Sequence, residues 1–132
     1  MSLTLSQLKE GISSSFLPPS YYAQADCDEL LDLRDSSGSF ESEWIACHAD
    51  IKAKWSDSDD PSGDISNEQI RYTSFITVSN ATEQHEIASY VSDDFDLIHK
   101  SIVLGERSPI IEYLIEAYTS GKFPTPKEDG SY

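Results

Sequence analysis

Positive charge is scarce in this chain: nine Lys and Arg face 24 Asp and Glu across 132 residues, a formal net charge of −15 at pH 7. So acidic a protein repels nucleic-acid phosphates and anionic lipid through the same electrostatics that normally supply affinity for them. No nucleic-acid partner and no membrane partner is therefore expected. Cysteine is nearly absent as well. Cys27 and Cys47 are too few for a disulfide scaffold and suit a reducing compartment. The opening residues Met1-Ser2-Leu3-Thr4-Leu5-Ser6 have neither the cationic nor the long apolar region of a secretory signal, and no apolar run nears the roughly 20 residues of a membrane span. A cytoplasmic location is expected. The six glycines do not cluster, so no phosphate-cradling loop is present, and G-x-S-x-G, H-E-x-x-H and C-x-x-C are all missing. Nucleotide-dependent chemistry is not expected on this basis, no cofactor is expected, and the reading leans away from an enzyme.

What the chain does have is enough apolar residues, 38%, to build one core in a domain of this length. Their spacing is helical. Leu5, Leu8, Ile12 and Phe16 recur at steps of three, four and four and predict a first helix that stops at Leu17-Pro18-Pro19. Asp28 and Glu29 precede Leu30, Leu31 and Leu33, which predicts a helix entered near Asp26 with its carboxylates at the positive end of the dipole. Phe40, Trp44, Cys47, Ile51 and Trp55 give the clearest helical stripe. Residues 69–78 read both ways, because Tyr72, Thr73, Phe75, Ile76, Thr77 and Val78 are types that strands favour, while Ile70, Ser74 and Val78 fit a helical face. Ile87, Val91, Phe95, Ile98 and Ile102 continue as helix, with Ser92-Asp93-Asp94 as a candidate fresh cap dividing it in two. Ser108 as cap, Pro109 at the first position and Gly121 as stop frame a last helix.

The expected fold is mainly α: a compact single-domain bundle of five or six helices over residues 1–124, with an α+β arrangement carrying a strand near 69–78 as the alternative. Residues 56–64 should form an exposed acidic loop and 125–132 a flexible tail.

Histidines and carboxylates suggest two metal candidates. His85 and His99 flank Asp93, Asp94 and Asp96, yet on one unbroken helix the two rings are about 21 Å apart at 1.5 Å per residue and cannot share an ion. A break at Ser92 would lift that objection. The second is the loop after Trp55. Placing Gly63 at position six of a calcium loop puts Asp60 at three, Asp64 at seven and Ile65 at eight, but leaves Ser58 at one and Gln69 at twelve. Starting at Asp57 supplies Glu68 at twelve and displaces Gly63 and Ile65. A metal- or calcium-binding helical domain, with His85, His99, Asp60, Asp64 and Glu68 as its residues, is thus an alternative function. Trp44 and Trp55 are candidates to line a ligand groove, although aromatics at helical spacing usually belong to a core.

The negative charge is gathered in three segments: Asp26, Asp28, Glu29, Asp32 and Asp35; then Asp57, Asp59, Asp60 and Asp64; then Asp93, Asp94 and Asp96. Such clusters can imitate a phosphate backbone or steer a cationic partner, with Tyr21, Tyr22 and Tyr90 adding contact area. The favoured function is a non-enzymatic interaction module that binds a basic protein, of the immunity, antitoxin or inhibitor type. Its expected partner-binding residues are Asp26, Asp28, Glu29, Asp32, Asp93, Asp94 and Asp96.

Overall fold

Seven helices and no strand are found among the described residues, which in the computed structural model are 3–36, 38–56, 61–127 and 130–132. The chain begins with a reciprocal cap, in which Thr4 Oγ1 accepts from the Gln7 amide at 3.2 Å and the Gln7 side chain accepts from the Thr4 amide at 3.0 Å. This starts α1, Leu5–Ser14. It ends at Ser14, three residues before the expected stop at Leu17-Pro18-Pro19 and short of Phe16, and the proline pair instead opens α2, Pro19–Gln24, with Pro19 in the first turn where its missing N–H costs nothing. Asp26 caps α3, Cys27–Arg34, by accepting from the Glu29 amide at 3.1 Å. The long aromatic stripe becomes α4, Ser39–Ser56.

Residues 69–78 lie within α5, Pro61–Thr82, and are helical throughout, as the mainly-α reading has it and without the strand of its alternative. Three other expectations need correction. Residues 61–64, expected in an acidic loop, belong to the same helix, while 57–60 lie outside the described residues. The helix α6, His85–Leu104, runs unbroken through Ser92. Ser92 does not cap it; its hydroxyl donates across to the Arg71 carbonyl of α5 at 3.3 Å. Finally, of the tail expected to be flexible, residues 130–132 pack back on the bundle, while 128–129 lie outside the described residues. The Phe40 amide donates to the Gly130 carbonyl at 2.9 Å, and the Tyr132 ring meets Phe40 and Tyr113 edge-on or tilted at 5.9 and 5.2 Å. Gly38 allows this closure, since a Cβ there would fall 2.5 Å from the Gly130 backbone.

Helix α6 is the axis of the bundle. It contacts α1, α4, α5 and the last helix, α7, Pro109–Thr119. Ile87, Ala88, Val91, Phe95, Leu97 and Ile98 are all at most 1% exposed, and a helix apolar on most sides is one surrounded by others. Its central position also buries polar side chains: Ser92, Asp94, Asp96, His99 and Ser101. The amide of Asn67 and Nδ1 of His99 pair at 3.1 Å, and Nε2 of His99 has no hydrogen-bond partner among the described residues.

His99 sets a pH dependence. Burial pushes its pKa below the ordinary 6.5, with nearby Lys9 and Lys100 acting in the same direction and Asp96 against them. Above pH 6.5 the imidazole is neutral in both folded and unfolded chains and its contribution is fully present. As pH falls below that value, the unfolded chain takes up a proton that the fold refuses, and stability is lost until the folded-state pKa is reached. Urea unfolding at pH 7.5 and pH 5 should show the native protein losing stability relative to His99→Gln. Equal losses in the two proteins would show that His99 does not titrate across unfolding in this range.

Candidate functional site

Around α6 the sequence has placed one buried carboxylate where three other helices can reach it. Asp94 is 0% exposed. Its Oδ1 accepts from Arg34 at 2.8 Å and from the Trp44 indole N–H at 2.9 Å, and its Oδ2 accepts from Arg34 at 2.9 Å and from the Tyr118 hydroxyl at 2.6 Å. Four donors on two oxygens fill the acceptor capacity of a carboxylate. The guanidinium of Arg34 also donates to the Pro124 carbonyl at 3.3 Å and lies over the rings of Phe40, Tyr90 and Phe123 at 5.2, 5.5 and 5.0 Å. Burial opposes the charge on Arg34, and the bidentate Asp94 carboxylate outweighs it and holds the guanidinium protonated. Burial, reinforced by the Asp94 charge, keeps the Tyr118 hydroxyl protonated well above its usual range. Asp94 therefore joins α3, α4, α6 and α7 and takes no part in the protein's outer surface.

Directly above this network lies a groove of about 310 Å³, lined by Arg34, Asp35, Phe40, Glu41, Trp44, Ile45, Tyr90 and Asp93. Two of its rings are fixed at their polar tips. Trp44 is held by Asp94, and Tyr90 donates to Asp35 at 2.6 Å, which pushes the Tyr90 pKa up to about 12, aided by partial burial. One face of Trp44 is occupied by His48, one turn along α4, stacked at 5.2 Å and nearly parallel. Ile45, 57% exposed, forms an apolar lip. The rim is acidic, with Asp35 from α3, Glu41 from α4 and Asp93 from α6.

The first and third acidic segments of the sequence thus meet at one place, through Asp35 and Asp93. Asp28, Asp32 and Asp35 are exposed and follow one another at helical steps of four and three, forming a stripe along α3 that ends at the groove. Asp26 and Glu29 are also exposed at the start of α3. Asp94 and Asp96 do not belong to this surface. Asp94 is consumed as described, and Asp96, 5% exposed, faces Arg71 at 3.4 Å and Lys100 at 3.3 Å. Asp93 is half-exposed and accepts from Arg71 at 3.0 Å. Of the three tyrosines expected to add contact area, Tyr90 lines the groove and Tyr22 is buried. Tyr21 accepts from the Phe123 amide at 3.3 Å.

The metal candidates are not brought together. His85 is exposed at the start of α6 beside the Phe75 ring, and His99 is buried fourteen residues further along the same continuous helix. Glu68 is exposed within α5, the backbone of Asp64 is helical, and Asp60 lies outside the described residues. No group of three or more His, Cys, Asp or Glu among the described residues is arranged to hold an ion. Trp44 lines the groove, whereas Trp55 packs on His99 with the Lys100 ammonium 5.4 Å from its ring. Sequence reasoning missed Arg34; the available signal was a single cation ending a helix whose other charges are acidic.

A second, larger concavity of about 610 Å³ lies between α1 and α7, with Leu3, Phe16 and Ile115 among Glu10, Glu112 and Glu116. No helix among the described residues is long and apolar enough to cross a membrane. No curated protein matches the chain. The family model for Immunity protein PIM1 matches residues 7–125, which contain every element of the Asp94 network and both walls of the groove above it, and the chain belongs to that immunity-protein family.

Proposed function

We propose that the protein acts in the cytoplasm as a non-enzymatic immunity protein that binds a basic protein partner and that the groove between α3, α4 and α6 is its docking face. Membership of an immunity-protein family supports a protein partner. The observation that carries the choice of face is the convergence of Asp35, Glu41 and Asp93 around a floor of Phe40, Trp44 and Tyr90. Acidic rims speed encounter with a cationic surface and fix its orientation, and a preset aromatic floor supplies the desolvated contact that slows dissociation. The exposed stripe Asp28, Asp32 and Asp35, flanked by Asp26 and Glu29, extends the attractive field beyond the groove.

The test is co-expression with the products of neighbouring reading frames, scored by growth rescue and by co-purification. A product with a basic surface should be neutralised and retained at 50 mM NaCl, with affinity falling at least about tenfold by 500 mM as the charges are screened. Glu41→Gln should weaken retention without changing the melting temperature, since Glu41 sits on the rim. Binding that is indifferent to salt and to substitutions at Asp35, Glu41 and Asp93 would remove this face from consideration.

A further inference from the structure

We infer that the groove takes an arginine side chain of the partner as its central anchor, seated on Trp44 and Tyr90 with its guanidinium edge toward Glu41 and Asp93. This rests on the docking face proposed above and specifies the chemistry at its centre. The chain itself shows what one of these rings does with a guanidinium. Arg34, itself one of the groove-lining residues, lies 5.2 Å from the Phe40 centroid and 5.5 Å from the Tyr90 centroid while a carboxylate grips its edge through two hydrogen bonds. Beside it the groove lining holds the same two components, aromatic rings and carboxylates.

Three properties select arginine over other occupants. The charge is complementary, because Arg34 is already neutralised by Asp94, which leaves Asp35 and Glu41, with Asp93 shared with Arg71, as the charge of the rim. The flat shape is complementary too. A guanidinium stacks on aromatic faces and presents paired donors to a carboxylate, whereas an ammonium is a strongly hydrated point charge that does neither as well. The site is also preset. Trp44 is tethered to Asp94 at 2.9 Å and stacked on His48, and Tyr90 is tethered to Asp35 at 2.6 Å, so little rotamer freedom remains to be lost on binding. The α1–α7 concavity has acidic residues but neither an aromatic pair tethered in this way nor a guanidinium already stacked on its wall.

The experiment uses the full chain labelled with nitrogen-15 and three blocked tripeptides with arginine, lysine or citrulline between glycines. The readout is the indole N–H resonance of Trp44, distinguished from that of Trp55 by its loss in Trp44→Phe. Arginine peptide should move the Trp44 signal saturably in the millimolar range, with lysine about fivefold weaker and citrulline, isosteric but uncharged, without effect. Glu41→Gln should weaken the arginine response at least threefold while the melting temperature stays unchanged. The inference is overturned if citrulline matches arginine, if lysine matches arginine, or if the Trp44 signal does not respond. It is equally overturned if the shifts gather at Ile115 in the other concavity. Failure of the wider proposal is read separately, from the salt dependence and growth rescue of the co-expressed partner. A partner that binds and is lost on groove substitutions, alongside a silent arginine titration, retires the anchor alone.

Discussion

Asp94→Ala is expected to destabilise the fold by about 3–5 kcal/mol, the cost of breaking a buried ion pair and leaving one charge uncompensated. The residue has no exposed surface, and its removal strands a guanidinium that is itself only 7% exposed. It also strands the Tyr118 hydroxyl, which is buried and has Asp94 as its acceptor at 2.6 Å. Trp44 suffers less because its indole is half-buried and can turn its N–H toward water. Asp94→Asn should also be severe, since its amide N–H group would face donors where four now converge on acceptors. Pairing the loss with Arg34→Met in an Asp94→Leu background should return a substantial part of the stability, because apolar replacement of a buried pair removes the desolvation penalty along with the attraction. Chemical denaturation of the single and double variants measures this directly. If Asp94→Ala lay within about 1 kcal/mol of the native protein, the Arg34–Asp94 pair would have to be far better solvated than its burial implies.

The same residue shows where local sequence stops being informative. Asp93, Asp94 and Asp96 look alike in the chain, yet one lines a groove, one is sealed inside the bundle and one is held by Arg71 and Lys100. What separates them is the identity of partners 24, 50 and 60 residues away, Tyr118, Trp44 and Arg34. No window around Asp94 contains that information. The same reasoning explains Ser92-Asp93-Asp94, whose composition suits a cap. In the fold each finds a tertiary partner, and the helical ladder of α6 continues.

Where periodicity was strong, the elements were legible. The stripes beginning at Leu5, Phe40 and Ile87 and the caps Asp26 and Ser108 all lie where the pattern puts them. Residues 69–78 were ambiguous because β-branched side chains weaken intrinsic helix preference. Packing along α6 resolves them, and the hydroxyls of Ser74, Thr77 and Thr82 turn inward to carbonyls one turn earlier at 2.7–2.8 Å. Helix α2 was invisible for a different reason: at six residues, with no side-chain cap, it offers no repeating face to detect. For the site, the acidic segments were visible and their convergence was not, since Asp35 and Asp93 are joined only by the packing of α3 and α6 around Arg34.

Reversing the charge at the centre and at the periphery of the docking face should have different kinetic signatures. Glu41→Lys with Asp93→Lys is expected to weaken binding of the basic partner by about a thousandfold or more, because like charges brought together in a partly desolvated contact cost several kcal/mol. Most of the loss should lie in faster dissociation. Both positions are partly exposed, and Asp93 gives up a pairing with Arg71 in which each side chain is 40–51% exposed; such pairs contribute little to stability, so the fold should survive. Asp28→Lys with Asp32→Lys changes the net charge equally but acts on the stripe leading to the groove. It should slow association by about tenfold at low salt, leave dissociation nearly unchanged, and lose most of its effect at high ionic strength. Stopped-flow association and dissociation rates at two salt concentrations separate the two pairs. Equal effects of both, confined to association, would mean that the charge on this face steers the partner without the groove holding it. Slower association together with faster dissociation from the central pair alone would locate the grip between α3, α4 and α6.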